Sequence, residues 1–171
     1  MREQLVAWAG DCIVRGIVDF GEGRISDQVN ETEAITFYNA TLQALDDGHE
    51  LDLDELEVGR DELHVIEVQG RRGDPVRRRR TVEERVTVDV GPFVVVGNLH
   101  RPPSTQPLAS LQGWARFVPV TDALVGLRGG EDRAHQEVVL VNRERISKAV
   151  PLASIPIYSD DPAAAAQDAT G

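Results

Sequence analysis

At 171 residues the chain fits one domain or two very small ones, and 41% apolar residues suffice for a core. Aromatics are only 5%, so that core must rest on Val, Leu, Ile and Ala. A net charge of −11 repels phosphate backbones and disfavours nucleic acid as the main ligand, and a single cysteine excludes an internal disulfide.

The charge is unevenly spread. Residues 1–70 carry 4 Arg against 17 Asp/Glu, residues 71–85 carry 7 Arg against 3 acids, and the remainder is nearly balanced. The opening MREQLVAWAGD is charged early and its apolar region is too short for a signal peptide. Uninterrupted apolar runs such as Phe93 to Val96 are far too short to span a membrane as a helix. Together with the lone thiol of Cys12, this places the protein in the cytoplasm as an expectation. Lys148 is the sole lysine beside abundant arginine, a codon signature of a high-GC bacterial genome.

In chain order, residues 3–8 pair as a first strand and Gly10-Asp11 turns. Cys12 to Phe20 reads as a strand rich in β-branched residues, with Gly16 marking a bulge or bend. Ser26 caps a short helical turn through Asn30. The next strand runs from Ile35 to Leu45, and Asp46-Asp47-Gly48 turns. Leu51 and Leu53 alternate with aspartates, and Leu56 and Val58 resume after a one-residue slip, giving an acidic strand with one apolar face. Leu63 to Val68 closes the first unit.

QGRRGDPVRRRR, residues 69–80, is polar, contains Gly and Pro, and is strongly basic; it forms a linker assigned to residues 71–85. Val86, Val88 and Val90 alternate with polar residues, Gly91-Pro92 turns, and Phe93 to Leu99 is apolar enough for burial on both sides. Arg101 to Pro107 is a Pro-rich loop, and Leu108 to Trp114 gives one helical turn. Phe117 to Leu127 is a strand whose Pro119 suits an edge or bulge. Strands at Val138–Val141 and Ile146–Val150 finish the second unit, residues 86–158. Residues 159–171 lack any apolar period and read as a disordered tail.

The two halves align with each other. Gly10 to Asp19 matches Gly91 to His100 at an offset of 81, pairing Gly16 with Gly97. Beyond the following loop the offset is 83, pairing Asn39-Ala40 with Asp122-Ala123 and Gly59-Arg60 with Asn142-Arg143. Gly59 and Asn142 are residue types that accept positive φ, so both are expected in the same tight turn. Units of this size are marginal alone, and packing two together covers open sheet edges. The expected fold is mainly β, with two repeated five-stranded units, residues 1–70 and 86–158, packed as a pseudo-twofold body.

VTVDVGPFVVVGNLH and VVLVNRERISKAV give each unit a resemblance to small SH3-like barrels, most of all to Sm-like units. Gly97-Asn98-Leu99 and Asn142-Arg143 fill the places of that family's internal Gly-x-Leu and its turn before the last strand. The spacing from Gly91 to Gly97 is one residue longer than the family's, and the Asp…Asn pair that grips a base is missing. The resemblance implies a fold rather than RNA binding. The halves also resemble an uncharacterised bacterial β-rich family, which implies no function.

Chemistry is sparsely signposted. His49, His64, His100 and His135 show no metal-ligand spacing, and the acidic run Asp46–Glu57 does not follow a calcium-loop order. No nucleophile elbow, P-loop or dinucleotide fingerprint occurs, so no cofactor, metal or catalytic residue is assigned. The leading expectation is a non-enzymatic module that binds protein through a sheet edge or self-associates. Contact loops at Gly21–Arg24 and Arg101–Pro107 and a patch of His100, Arg101 and Trp114 are its candidate surfaces. The second reading is nucleic-acid binding in the Sm manner through Arg60 and Arg143, or through Arg77, Arg78, Arg79 and Arg80. The alternative for that arginine cluster is contact with the chain's own acidic half. A small metal-dependent enzyme is the third reading.

Overall fold

A computed structural model describes residues 2–68 and 81–152. Arg77–Arg80, most of the expected linker and the expected tail 159–171 lie outside the described residues. The architecture is mainly β: ten strands form one antiparallel sheet, with one short α-helix among the described residues. The strands are β1 (Arg2–Ala9), β2 (Cys12–Asp19), β3 (Ala34–Ala44), β4 (Glu50–Gly59), β5 (Leu63–Glu67), β6 (Val82–Val90), β7 (Phe93–Arg101), β8 (Phe117–Leu127), β9 (Ala134–Asn142) and β10 (Ile146–Pro151). Helix α1 (Ile25–Glu31) lies between β2 and β3. Among the described residues no helix is long and apolar enough to cross a membrane.

The sheet runs β10-β6-β7-β8-β9-β5-β1-β2-β3-β4. Within each half the order is therefore fifth-first-second-third-fourth strand. The registers correspond as well. Leu5 faces Gly16 as Val86 faces Gly97, and Ile35 faces Val58 as Val118 faces Val141. The β5 and β10 ladders both slip one residue after their first pair, at Leu63 and at Ile146.

The internal glycines explain the bend of the second strand in each half. The β2–β3 ladder shifts between Arg15 and Ile17, and the β7–β8 ladder shifts between Val96 and Asn98. A Cβ on Gly16 would sit 3.1 Å from the Tyr38 carbonyl oxygen; one on Gly97 would sit 2.4 Å from Val120 Cγ1. Opposite each bulge stands a non-glycine residue with positive φ, Asn39 (φ 47°) or Asp122 (φ 48°), the residue types that tolerate this region best. Asn39 falls between the Tyr38↔Glu55 and Ala40↔Leu53 pairs, which is where the apolar face of β4 changes phase.

Several expectations need correction. Gly59 and Asn142 do head matching 3-10 turns, Arg60–Glu62 and Arg143–Arg145, but with φ of −61° and −71°. The turn is made by extended backbone, so positive φ is not what selects these residues. Ser26 lies inside α1, whose N-cap is Arg24. β7 alternates, with Phe93, Val95, Gly97 and Leu99 buried and Val94, Val96 and Asn98 half-buried, instead of burying both faces. β6 begins at Val82, inside the segment assigned to the linker. β8 is an interior strand, yet Pro119 stands one residue past its last β7 pair, Leu99↔Val120, so it has a strand neighbour only on the β9 side.

The pseudo-twofold is also corrected. The halves join through β5 and β9, antiparallel, with Val65↔Val141, Ile66↔Leu140 and Glu67↔Val139. A twofold would also pair β4 with β10. Those strands lie at opposite ends of the sheet, so the halves meet head to tail.

Two apolar clusters hold the structure, and each recruits from the other half. Val6, Trp8 and Val65 enter the cluster built on β6–β9, while Phe117 and Leu140 enter the one built on β1–β4. Side chains alternate along β1, β5 and β9, so both faces of the junction are buried. Burying a side chain such as Phe117 contributes about 2–3 kcal/mol, and here that gain depends on both halves being present.

Candidate functional site

Among the described residues, those nominated from sequence do not converge. His100 Nε2 is 2.8 Å from Thr121 Oγ1, and Arg101 donates to the Thr105 carbonyl at 2.7 Å while lying 3.8 Å from Glu84. Arg101 therefore fastens the loop after β7 to the sheet, while His100 bridges β7 and β8. Trp114 is fully exposed in that loop and is the one apolar group of the three that faces solvent.

Arg60 and Arg143 occupy matching positions and do matching work. Arg60 Nη1 donates to the Asn30 carbonyl at 2.7 Å, and Arg143 Nη1 donates to the Gly113 carbonyl. Their backbone N–H groups bond the Glu33 and Arg116 carbonyls. Each arginine ties the last turn of its half to the segment that precedes the third strand. The four histidines are dispersed. His64 sits edge-on to Phe93, His135 pairs with Asp122 at 2.9 Å, His100 bonds Thr121, and His49 lies in the β3–β4 turn. Among the described residues no group of three His, Cys, Asp or Glu side chains could hold a metal ion.

Local electrostatics follow burial and pairing. Burial pushes the Cys12 thiol up to about 11, helped by the nearby Asp11 carboxylate. Burial also raises Glu67 above the usual carboxylate range, against the lowering effect of the Trp8 indole N–H, which donates to it at 2.7 Å. His64 is lowered by burial. Asp122 is held low by hydrogen bonds from His135 and Arg85. An open hollow of about 660 Å³ lies beside the Trp8–Glu67 pair, lined also by Gln4, Ile13, Arg15 and Gln136.

The junction is sealed by contacts from outside the ladder. Asn142 is buried and its side-chain amide donates to the Leu63 carbonyl at 2.8 Å. Arg116 pairs with Asp61 and, at 2.8 Å, with Glu144; Arg145 donates to the Asp61 carbonyl. Trp8 packs edge-on to Phe93 with ring centroids 5.1 Å apart, and the Asn30 side chain bonds both backbone polar groups of Phe117.

The outer strands contrast with this. Among the described residues β4 pairs only with β3, and β10 only with β6. The β4 edge exposes Glu50, Leu51, Asp52, Asp54, Glu55 and Glu57; β10 exposes Ser147, Lys148, Val150 and Pro151. Such edges present unpaired main-chain donors and acceptors to any extended segment that approaches. The acidic strand was visible in the sequence, but its place at an edge was not, because edge position depends on which strands join the halves. No protein-family model, curated protein or solved structure matches this chain.

Proposed function

We propose that the chain is a non-enzymatic, cytoplasmic interaction module made of two SH3/Sm-like five-stranded units in tandem, which binds a protein partner by adding a strand to an open sheet edge. The observation that carries this reading is the correspondence between junction and edges. β9 and β5 pair with each other inside the chain, while β4 and β10, which hold the same places in the other halves, have a free side among the described residues. The matching strand orders, registers and bulges support the tandem units. Fastening of His100, Arg101, Arg60 and Arg143 to the chain's own backbone and hydroxyls lends no support to a nucleotide grip.

The test is a photo-cross-linking amino acid placed at Glu55 on β4, Lys148 on β10 or Gln106 in the loop after β7, used in the native host. Protein adducts from either edge position and few from the loop are expected. Adducts confined to the loop, or to RNA, would overturn the edge reading.

A further inference from the structure

We infer that the β4 edge is shaped for an extended basic strand from another protein, and that the β10 strand of a second copy is not its occupant. The inference rests on the edge-binding reading above and identifies the partner's chemistry. Its backbone half comes from the chain itself. The β9 segment Val139–Val141 receives β5, and Leu56–Val58 on β4 holds the matching place with the matching register to its own third strand.

The side-chain half comes from what differs between those places. Inside the junction, buried Leu140 faces Ile66; the matching residue on β4 is the exposed Glu57. Arg116 and Arg145, which grip Asp61, correspond to Glu33 and Glu62, both exposed. Asn142, whose amide closes onto Leu63, corresponds to Gly59, which has no side chain to offer. Every one of these sealing groups is thus replaced by an acid or removed.

A second copy would make matters worse. Its Glu144 stands where β5 is preceded by Asp61, so it would meet Glu33 and Glu62, like charge against like. Its Pro151 stands where Val68 donates to the Val138 carbonyl at 3.2 Å, and proline has no N–H to give. Lysine and proline on β10 are devices that blunt an edge. A strand that fits β4 carries a basic residue facing Glu57 and basic residues at the end nearest Glu33 and Glu62. Further along, Glu55, Asp54, Asp52 and Glu50 extend the acidic track.

The experiment uses the full chain and a synthetic peptide with the β5 sequence Asp61–Val68 changed by D61R, E62R and I66K. Amide exchange read by NMR should show it newly protecting the Glu55 and Glu57 amides, which match Val138 and Leu140 at the junction and point away from β3. The unmodified peptide should bind at least about tenfold more weakly, and Glu57→Lys in the protein should cost the basic peptide a similar factor. Glu57 is exposed, so the variant is expected to fold; Glu62→Arg provides a second charge reversal outside the strand. Equal binding of both peptides, no binding of the basic one, or concentration-dependent self-association that protects β4 amides would overturn the inference. Protection of β10 instead would overturn it while leaving the edge-binding reading standing.

Discussion

Replacing Gly97 with alanine places a methyl group where the chain has no room. The new Cβ would lie 2.4 Å from Val120 Cγ1, 3.0 Å from the Thr121 carbonyl oxygen and 3.2 Å from Ala123 Cα. Val120 and Ala123 are buried within the larger apolar cluster, so the displaced group cannot swing into solvent. Overpacking of this kind costs roughly 1–3 kcal/mol, against which alanine recovers about 0.5–1 kcal/mol of backbone entropy. The matching change at Gly16 is milder: its nearest neighbours stand at 3.1, 3.2 and 3.3 Å. Gly97→Ala should therefore destabilise by about 2 kcal/mol and Gly16→Ala by under about 1 kcal/mol. For a chain of this size that separates the two by about 2–8 °C in Tm. Urea titration followed by tryptophan fluorescence, with m unchanged, measures it. Because Val120 is the clashing partner, Val120→Ala should cost less in the Gly97→Ala background than alone. Equal stability of the two glycine variants, or strict additivity with Val120→Ala, would refute the crowding argument.

Phe93→Ala removes a fully buried ring that touches Trp8 and His64 across the halves, so it should cost about 3–5 kcal/mol and shift one cooperative transition; two separate transitions would count against a shared core. Glu67 has a folded-state affinity for protons raised above its unfolded one, so its contribution is favourable below the unfolded value and is lost as pH rises through the folded one. Glu67→Gln should consequently stabilise the protein at pH 7, with the gain vanishing in acid; a variant less stable than the parent at pH 7 would reverse that sign. Cys12, held at about 11 instead of 9.0, carries about a hundredfold less thiolate, so alkylation at pH 8 should be slower by that order in the native state than in denaturant.

Much of this fold could be read before any coordinates, because strand signals are local. Val86, Val88 and Val90 announce β6 by alternation, and Gly16 and Gly97 mark bulges because a glycine inside a strand is rarely idle. The offsets of 81 and 83 reproduce the pairing of residues in both halves. How the halves meet was not legible, since that depends on residue pairs distant in sequence: Arg116 with Asp61, Asn142 with Leu63, Trp8 with Phe93. Arg60 and Arg143 looked like ligand-binding residues because charge in a turn suggests solvent. The carbonyls that absorb them, Asn30 in α1 and Gly113 in the loop after β7, are 30 residues away in the sequence, and no local pattern pairs either with its arginine. The acidic run from Glu50 to Glu57 was legible as charge and as strand, but its meaning depends on Leu140, the residue at the matching place in the junction.

β5 is five residues long and lies between β1 and β9, the last strand of one half in the interior of the whole sheet. It acts as a keystone with two dependants. A fluctuation that lifts Leu63–Glu67 away would bare a strand on each side at once, turning a sheet with two free borders among the described residues into fragments with more. The shortest route to misassembly for this chain therefore runs through its briefest interior strand, and substitutions at Val65 or Ile66 should appear as insolubility before they appear as lost binding.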